Sequence, residues 1–130
     1  MKTKVLIIED NIQNMYMLTY LLESENYKVL QASSGPAGIN LALDEKPDVI
    51  LLDIQLPQMD GYQVAAELRK YDELKKLPVI AVTSYAMPGD KEKAIESGAT
   101  GYIEKPINPD TFISQMEFFL PSELLHNKKD

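Results

Sequence analysis

Short runs of apolar residues alternate with longer segments of helical spacing five times along this chain. The apolar runs lie at residues 5–8, 29–32, 49–52, 79–82 and 102–103. The helical segments follow them at residues 12–24, 35–44, 61–71, 90–97 and 109–120. Continuous β-branched runs joined by helices are typical of parallel strands that are covered on both faces. The pattern therefore predicts an α/β protein with a (βα)5, flavodoxin-like fold, a doubly wound parallel five-stranded sheet in a single domain.

Polar and proline residues mark where the last predicted helix begins and ends. Asn108 suits its N-cap and Pro109 its first turn, while Pro121 stops it. Only a short polar segment follows. We therefore expect one domain over residues 1–121 and a polar C-terminal tail over residues 122–130.

Composition narrows the function classes without selecting one. The chain has 130 residues, 45% hydrophobic and 25% charged, as in ordinary soluble globular proteins. Its net charge of −7 argues against nucleic acid and anionic membranes as partners. The absence of cysteine excludes disulfides, thiolate catalysis and sulfur-bound zinc. With no apolar run of bilayer-spanning length and no signal-peptide pattern, we expect a cytoplasmic location.

Charged and hydroxyl side chains stand where the predicted strands end. Glu9 and Asp10 follow the first apolar run, Asp53 the third, Thr83 the fourth and Lys105 the fifth. In open α/β sheets, ligands bind beyond the carboxyl ends of the strands, where the strand order reverses. We therefore expect these five side chains to share one rim of the sheet.

Oxygen ligands and a cation at one rim suit the chemistry of phosphate. Three neighbouring carboxylates repel one another unless a cation joins them, and with oxygen ligands alone Mg²⁺ is the first choice. Lys105 offers a positive charge and Thr83 a hydroxyl donor to phosphoryl oxygens. A carboxylate can then act as the nucleophile by forming an aspartyl phosphate.

Each of these residues also has a purely structural interpretation. Asp10 could cap the following helix, Asp53 could accept loop amides, and Thr83 could cap the turn at Ser84. Lys105 could be a solvated charge. Two other functions use a similar rim: a flavin site, and a Mg²⁺-dependent phosphohydrolase with an aspartate nucleophile. The chain has no GxxxxGK[ST] or GxGxxG loop, so nucleotide binding is unsupported.

Four segments, "IIEDN", "VILLDIQLPQMDGYQ", "VIAVTSYAM" and "GYIEKPI", resemble the receiver domain of bacterial two-component response regulators. The resemblance implies a phosphoacceptor at Asp53 that takes its phosphoryl group from a phosphohistidine, with Mg²⁺ as cofactor. It further implies that Asp10, Asp53 and the Gln55 backbone carbonyl bind the metal directly and that Glu9 acts through water. A cis peptide bond between Lys105 and Pro106 is also expected.

The same resemblance implies how the signal is switched and ended. Thr83 would move towards the phosphoryl group, and Tyr102 would turn inward, changing the surface of the fourth helix, fifth strand and fifth helix. Gln55 and Tyr85 flank the expected path of the attacking water. They are candidates for setting the lifetime of the phosphoryl group, with Tyr85 obstructing that water.

The first helix has more apolar surface than one buried stripe requires. We expect Ile12, Met15, Leu18 and Leu22 to form its buried stripe. The remaining residues form a candidate docking face for a histidine kinase or histidine phosphotransfer protein: Asn11, Tyr16, Met17 and Tyr20.

The resulting hypothesis is a stand-alone receiver, not an enzyme acting on a separate substrate, that signals by protein–protein contact without an output domain. A receiver module of a hybrid sensor kinase is the closest alternative. A monomer or weak homodimer is expected, and the downstream target is left open.

Overall fold

Five parallel strands form one sheet in this protein. The structure is a computed structural model that describes residues 2–84 and 89–129, without the side chains of residues 126–129. The strand order is β2-β1-β3-β4-β5, and all four pairings are parallel. The strands are β1 Lys4–Ile8, β2 Lys28–Ala32, β3 Val49–Asp53, β4 Val79–Thr83 and β5 Gly101–Glu104. The predicted fold is therefore confirmed. The strand order reverses between β1 and β3, which is where ligands bind in such sheets.

Five α-helices connect and follow the strands. They are α1 Ile12–Ser24, α2 Gly35–Glu45, α3 Gly61–Leu68, α4 Asp90–Ser97 and α5 Phe112–Phe118, with 3₁₀ turns at Asp72–Leu74 and Ser122–Lys129. None of the helices among the described residues combines the length and the apolar character needed to cross a membrane.

The core lies on both faces of the sheet, which explains why the strand sequences are continuously apolar. Val5 and Ile7 of β1 point into a cluster with Leu18 and Leu22 of α1 and with α5 side chains. Leu6 and Ile8 point to the opposite face, into a cluster with α2 and α3. Each fully buried aliphatic side chain contributes roughly 1.5–3 kcal/mol to stability.

The loop after β3 is shaped by a close backbone approach at Gly61. A Cβ at this position would lie 2.5 Å from the Cα of Ile54, so only glycine lets the chain return here. The Gly61 N–H donates to the Ile54 carbonyl at 2.9 Å, and Asp60 with Gln63 forms a capping box that begins α3. The residue after Ile54, Gln55, is thereby fixed next to the end of β3.

The prediction that Ile12 belongs to the buried stripe of α1 is wrong. Ile12 is 85% exposed, whereas Leu18 and Leu22 are buried and Met15 is partly buried against the core. The reason is position: Ile12 opens α1 beyond the end of β1, where the sheet no longer offers a surface to cover it.

The last helix is shorter than the predicted segment. α5 begins at Phe112, and the Asn108 side chain instead accepts from the Asp110 N–H in the preceding turn. After α5, Leu124 and Leu125 pack partly buried against the core, and the Thr3 hydroxyl donates to the Leu124 carbonyl at 2.6 Å. The start of the predicted tail is therefore in contact with the domain.

Candidate functional site

Three carboxylates meet at the carboxyl ends of β1 and β3. Glu9, Asp10 and Asp53 each offer an oxygen, and these oxygens all lie within 4.8 Å of one another. Glu9 and Asp53 are buried, at 2% and 4% exposure, while Asp10 is open to solvent. The adjacent ends of two neighbouring strands thus place the acidic residues together, as the sequence predicted.

The burial of Glu9 beside Asp53 disfavours its negative charge. Burial first, and then the hydrogen bond shared with the Asp53 carboxyl group, raises the pKa of Glu9 to about 7. The backbone N–H of Asn11 donates to Glu9 Oε2 at 3.0 Å and opposes that rise. Asp53 Oδ1 accepts from the Gln55 N–H at 3.0 Å. Two carboxyl groups are thus buried side by side, and their negative charges need a positive charge nearby.

Lys105, the residue after the end of β5, brings an ammonium group into the acidic cluster. Its Nζ lies 3.3 Å from Asp53 Oδ1 and 3.4 Å from Glu9 Oε1. The Lys105 N–H donates to the Thr83 carbonyl at 2.7 Å, which ties the residue to the end of β4. The peptide bond between Lys105 and Pro106 is cis. One ammonium facing three carboxylates leaves the cluster with an excess of negative charge.

The donor set fits a hard divalent cation. Carboxylate oxygens are the ligands that Mg²⁺ takes, and Asp10 leaves one side of the cluster open to the waters that Mg²⁺ keeps. The pKa of Glu9 is raised because its carboxyl group is buried beside Asp53. A cation bound next to this pair would stabilise the charged form of both carboxyl groups.

Thr83 ends β4 and is fully buried beside the cluster. The pairing of β3 with β4 aligns Asp53 with Val82, so Thr83 follows immediately beyond the acidic residue. Ser84, which the sequence analysis named only as a turn position, donates its hydroxyl hydrogen to Gln55 Oε1 at 2.5 Å. Tyr85 lies outside the described residues. The five rim residues that were predicted together therefore do lie together.

Tyr102 on β5 lies one strand away, half-buried under α4. It packs with Tyr62 against a small cluster formed by Ile54, Ala81, Ala94 and Ala99. Lys93 of α4 holds its ammonium group 4.5 Å from the centre of the Tyr62 ring. Tyr102 pairs with Ala81 in the sheet, two positions before the pairing of Thr83 with Glu104.

The predicted docking face of α1 is only partly exposed. Tyr16 and Tyr20 are 74% and 65% exposed, but Met17 is half-buried. Asn11 is the N-cap of α1 and accepts from the Asn14 N–H at 2.9 Å, so the cap is Asn11 and not Asp10.

Ile12 belongs to this exposed face, although the sequence analysis assigned it to the core. A cavity of about 440 Å³ runs from Glu9 and Asp10 past Ile12 to Tyr16. The exposure of Ile12 could have been inferred from its position in the first turn of α1, beyond the last residue of β1. The apolar face of α1 therefore borders the acidic cluster directly.

Comparison with known proteins agrees with this geometry. The model of the response regulator receiver domain family matches residues 5–117. The polar-differentiation response regulator DivK of Brucella anthropi is 41% identical over 120 residues, which are 92% of this chain and 98% of that protein. DivK of Brucella ovis matches to the same extent.

Two solved structures share the fold closely. The chemotaxis response regulator CheY4 of Vibrio cholerae superposes with a TM-score of 0.88 at 29% identity, covering 92% of this chain and 100% of that one. The receiver domain of the sensor histidine kinase PA1611 from Pseudomonas aeruginosa has a TM-score of 0.83 at 28% identity, covering 92% and 98%. That second structure has a magnesium ion coordinated in its active-site cleft.

Proposed function

This chain belongs to the response regulator receiver domains of two-component systems, and we propose that its phosphoacceptor is Asp53. The observation that carries the proposal is the placement of Lys105 Nζ 3.3 Å from the Asp53 carboxylate, within a cluster of carboxylates suited to a divalent cation. A buried aspartate with an ammonium beside it has the partners that a phosphoryl group requires.

The transfer would proceed by attack of an Asp53 carboxylate oxygen on the phosphorus of a phosphohistidine. The phosphorus–nitrogen bond breaks as the phosphorus–oxygen bond forms, and the histidine nitrogen leaves with its electron pair. Lys105 stabilises the negative charge on the phosphoryl oxygens, and the Thr83 hydroxyl donates to one of them. The reaction is a self-modification of the chain and not turnover of a separate substrate, and hydrolysis later removes the phosphoryl group as inorganic phosphate.

Mg²⁺ is the proposed cofactor. The side chains of Asp10 and Asp53 and the backbone carbonyl of Gln55 would hold it directly, and Glu9 would act through water. Bound there, Mg²⁺ supplies positive charge that offsets the charge of the transferring phosphoryl group. The receiver of PA1611, with its coordinated magnesium, supports this assignment by similarity.

Switching would use the residues that border the site on the β4 and β5 side. Thr83 moves towards the new phosphoryl oxygens, and Tyr102 turns into the space that Thr83 leaves. The half-buried position of Tyr102 against the alanine-lined cluster supports this, because a ring that is only partly buried can bury more of its surface by turning inward. The surface of α4, β5 and α5 then changes its populated conformation.

The lifetime of the phosphoryl group would depend on Gln55 and Tyr85. In the sequence each stands two residues after a site residue, Gln55 after Asp53 and Tyr85 after Thr83, and both are candidates to flank the path of the attacking water. A bulky Tyr85 would obstruct that water and slow hydrolysis.

The phosphoryl donor would be a histidine kinase or a histidine phosphotransfer protein that docks on α1. Ile12 and Tyr16 line the cavity that leads to the acidic cluster, and Tyr20, one helical turn further along α1, is also exposed. Asn11 and Met17 complete the proposed docking face. A helix packed on this apolar face would bring its phosphohistidine to the rim.

We further propose a cytoplasmic receiver, monomeric or weakly dimeric, that acts through protein–protein contacts alone, with residues 1–121 as the domain and 122–130 as a tail. The match to DivK over 98% of that protein supports a stand-alone receiver. The likeness to the receiver of the PA1611 kinase favours the second candidate, a receiver module of a hybrid kinase.

A phosphorylation experiment with residue mapping tests the proposal. The protein is mixed with Mg²⁺ and acetyl phosphate, and the added phosphoryl mass is located by peptide mass spectrometry. We expect one phosphoryl group, on Asp53, and none on the Asp53→Asn variant. Uptake at another residue, or uptake by the variant at the wild-type rate, would contradict the assignment.

A further inference from the structure

A side-chain hydrogen bond crosses the mouth of the site where the backbone pairing of β3 and β4 ends. The last backbone contact is the Ile54 N–H donating to the Val82 carbonyl at 3.1 Å. Continued from its alignment of Asp53 with Val82, the strand register places Gln55 opposite Ser84. There the Ser84 hydroxyl donates to Gln55 Oε1 at 2.5 Å. The two loops that flank Asp53 are thus joined by one side-chain bond.

This bond completes a closed ring of contacts around the phosphoacceptor. The Gln55 N–H donates to Asp53, and the Gln55 side chain accepts from Ser84. The residue before Ser84, Thr83, accepts from the Lys105 N–H, and the Lys105 ammonium group returns to Asp53 at 3.3 Å. The Ser84–Gln55 bond is the outermost link of the ring, because both of these residues are exposed whereas Asp53 and Thr83 are buried.

We propose that Ser84 is a positioning residue that lengthens the life of the phosphoryl group by tethering the Gln55 side chain across the mouth of the site. The inference rests on the proposed phosphorylation of Asp53. Its new element is the role of the Ser84 hydroxyl, which acts on water access only through Gln55.

The chemistry that the tether opposes is hydrolysis of the aspartyl phosphate. The water oxygen forms a bond to phosphorus, the bond from phosphorus to the Asp53 oxygen breaks, and inorganic phosphate leaves while the water proton passes to solvent. The water must approach opposite the breaking bond, which is from the mouth of the site. A Gln55 amide fixed by Ser84 occupies that approach and cannot rotate to orient the water.

A hydrogen bond that only stiffened the loop after β3 would have different consequences. The Gln55 carbonyl is a proposed metal ligand, so a displaced loop would change Mg²⁺ affinity and the rate of phosphorylation together. A tether on the side chain alone changes the rate of hydrolysis and leaves those two quantities at their wild-type values. The two roles are therefore separable by measurement.

The experiment compares Ser84→Ala and Ser84→Thr with the wild type, and Ser24→Ala serves as the matched control. Ser24 is also an exposed serine whose hydroxyl donates a hydrogen bond, to the Leu21 carbonyl at 2.7 Å, but it ends α1 at the opposite end of the sheet. Each protein is phosphorylated with acetyl phosphate and Mg²⁺, the donor is removed, and loss of the phosphoryl group is followed by intact mass.

We expect Ser84→Ala to lose its phosphoryl group about two to ten times faster than the wild type, the factor that one net hydrogen bond supplies. Ser84→Thr, which keeps the hydroxyl, restores the slow rate, and Ser24→Ala decays as the wild type does. Mg²⁺ affinity and the phosphorylation rate stay unchanged in Ser84→Ala. Decay of Ser84→Ala at the wild-type rate, or decay of Ser84→Thr as fast as Ser84→Ala, overturns the proposal.

A double variant shows whether Ser84 acts through Gln55. In a Gln55→Leu background, Ser84→Ala should bring no further acceleration, because the partner of the hydrogen bond is already gone. The same acceleration in both backgrounds overturns the proposal. Failure of the proposed function has a distinct signature, since the wild type would then take up no phosphoryl group at Asp53 before any decay is measured.

Discussion

The Lys105 ammonium group lies 3.3 Å from the Asp53 carboxylate, although Lys105 follows the end of β5 and Asp53 ends β3, and β4 separates these two strands. The contact forms because parallel strands end at the same edge of the sheet, where long side chains can converge. Lys105 also lies 3.4 Å from Glu9, so one ammonium serves two buried carboxyl groups.

Replacing Lys105 with methionine should slow phosphorylation of Asp53 about a hundredfold. Methionine has a similar length but no charge, so the phosphoryl oxygens lose a positioned cation at the moment their charge must be stabilised. The measurement is the initial rate of phosphorylation by acetyl phosphate at saturating Mg²⁺. The matched control is Lys70→Met, an exposed lysine paired with Glu67, which should react at the wild-type rate. Equal rates for the two variants would argue against a role for Lys105 at the site.

Replacing Asp10 with asparagine should weaken Mg²⁺ binding by at least about tenfold. Loss of even an outer partner of a metal site costs about 10- to 100-fold in affinity, and Asp10 is a proposed direct ligand. Titration calorimetry gives the affinities. Asp72→Asn is the control, because Asp72 is an exposed aspartate paired with Lys75 on a 3₁₀ turn.

Mg²⁺ should also stabilise the wild type against unfolding. At a hundred times its dissociation constant, a ligand that binds only the folded state adds about 2.7 kcal/mol to the free energy of unfolding. We expect this gain in denaturant titrations of the wild type and a smaller one for Asp10→Asn at the same Mg²⁺ concentration. An identical gain in both proteins would show that Asp10 is not a ligand.

Serine in place of Tyr16 and Tyr20 together should slow phosphotransfer from a histidine kinase about tenfold or more. Tyrosine is enriched among the few interface residues whose truncation costs about 2 kcal/mol or more, so loss of both rings should weaken docking. The donor would be the kinase that phosphorylates the wild type fastest in a panel. Phosphorylation by acetyl phosphate should be unchanged, since that small donor needs no docking face.

The control for this docking experiment is Phe118→Ser. Phe118 is 82% exposed and lies on α5, so it has the same character as the tyrosines but a different place. Equal slowing by Phe118→Ser, or unimpaired phosphotransfer in the Tyr16 and Tyr20 variant, would rule out α1 as the docking face.

The stability of the protein should fall above about pH 10 because of Tyr27. Burial, and then the hydrogen bond to Glu117, raises the pKa of the Tyr27 phenol above its ordinary value near 10. The folded state therefore holds this proton more tightly than the unfolded state does. The resulting stabilisation is fully present below about pH 10 and is lost as the pH rises further.

Tyr27→Phe should lower the free energy of unfolding by about 2 kcal/mol at neutral pH and flatten the alkaline decline. The phenol donates to a carboxylate, and such charged hydrogen bonds contribute about 1.5–3 kcal/mol. Urea titrations between pH 8 and 11 measure both effects, with Tyr16→Phe as the control because Tyr16 is 74% exposed. An undiminished alkaline decline in Tyr27→Phe would assign it to other groups.

The fold was predictable because its signals are local. Val5 and Ile7 serve one core cluster while Leu6 and Ile8 serve the other, so β1 must be apolar at every position, and that run is visible in the sequence. The rim residues were predictable for the same reason, since the end of a run identifies the end of a strand.

The exposed part of α1 was not predictable in this way. Helical spacing placed Ile12 in the same stripe as Leu18, and only the length of β1 shows that the sheet stops short of it. The hydrogen bond between Ser84 and Gln55 was equally hidden, because the two residues are far apart in sequence and meet only through strand register.

The sequence by itself determined the order of strands and helices and the set of acidic, hydroxyl and ammonium groups at the strand ends, because periodicity and strand length are properties of neighbouring residues. Only the tertiary structure decided the distances among those groups, the burial that raises the pKa of Glu9 to about 7, and which side of α1 stays open. All three properties depend on how far each strand extends relative to its neighbours in the sheet. The pattern of residues along the chain does not give that extension.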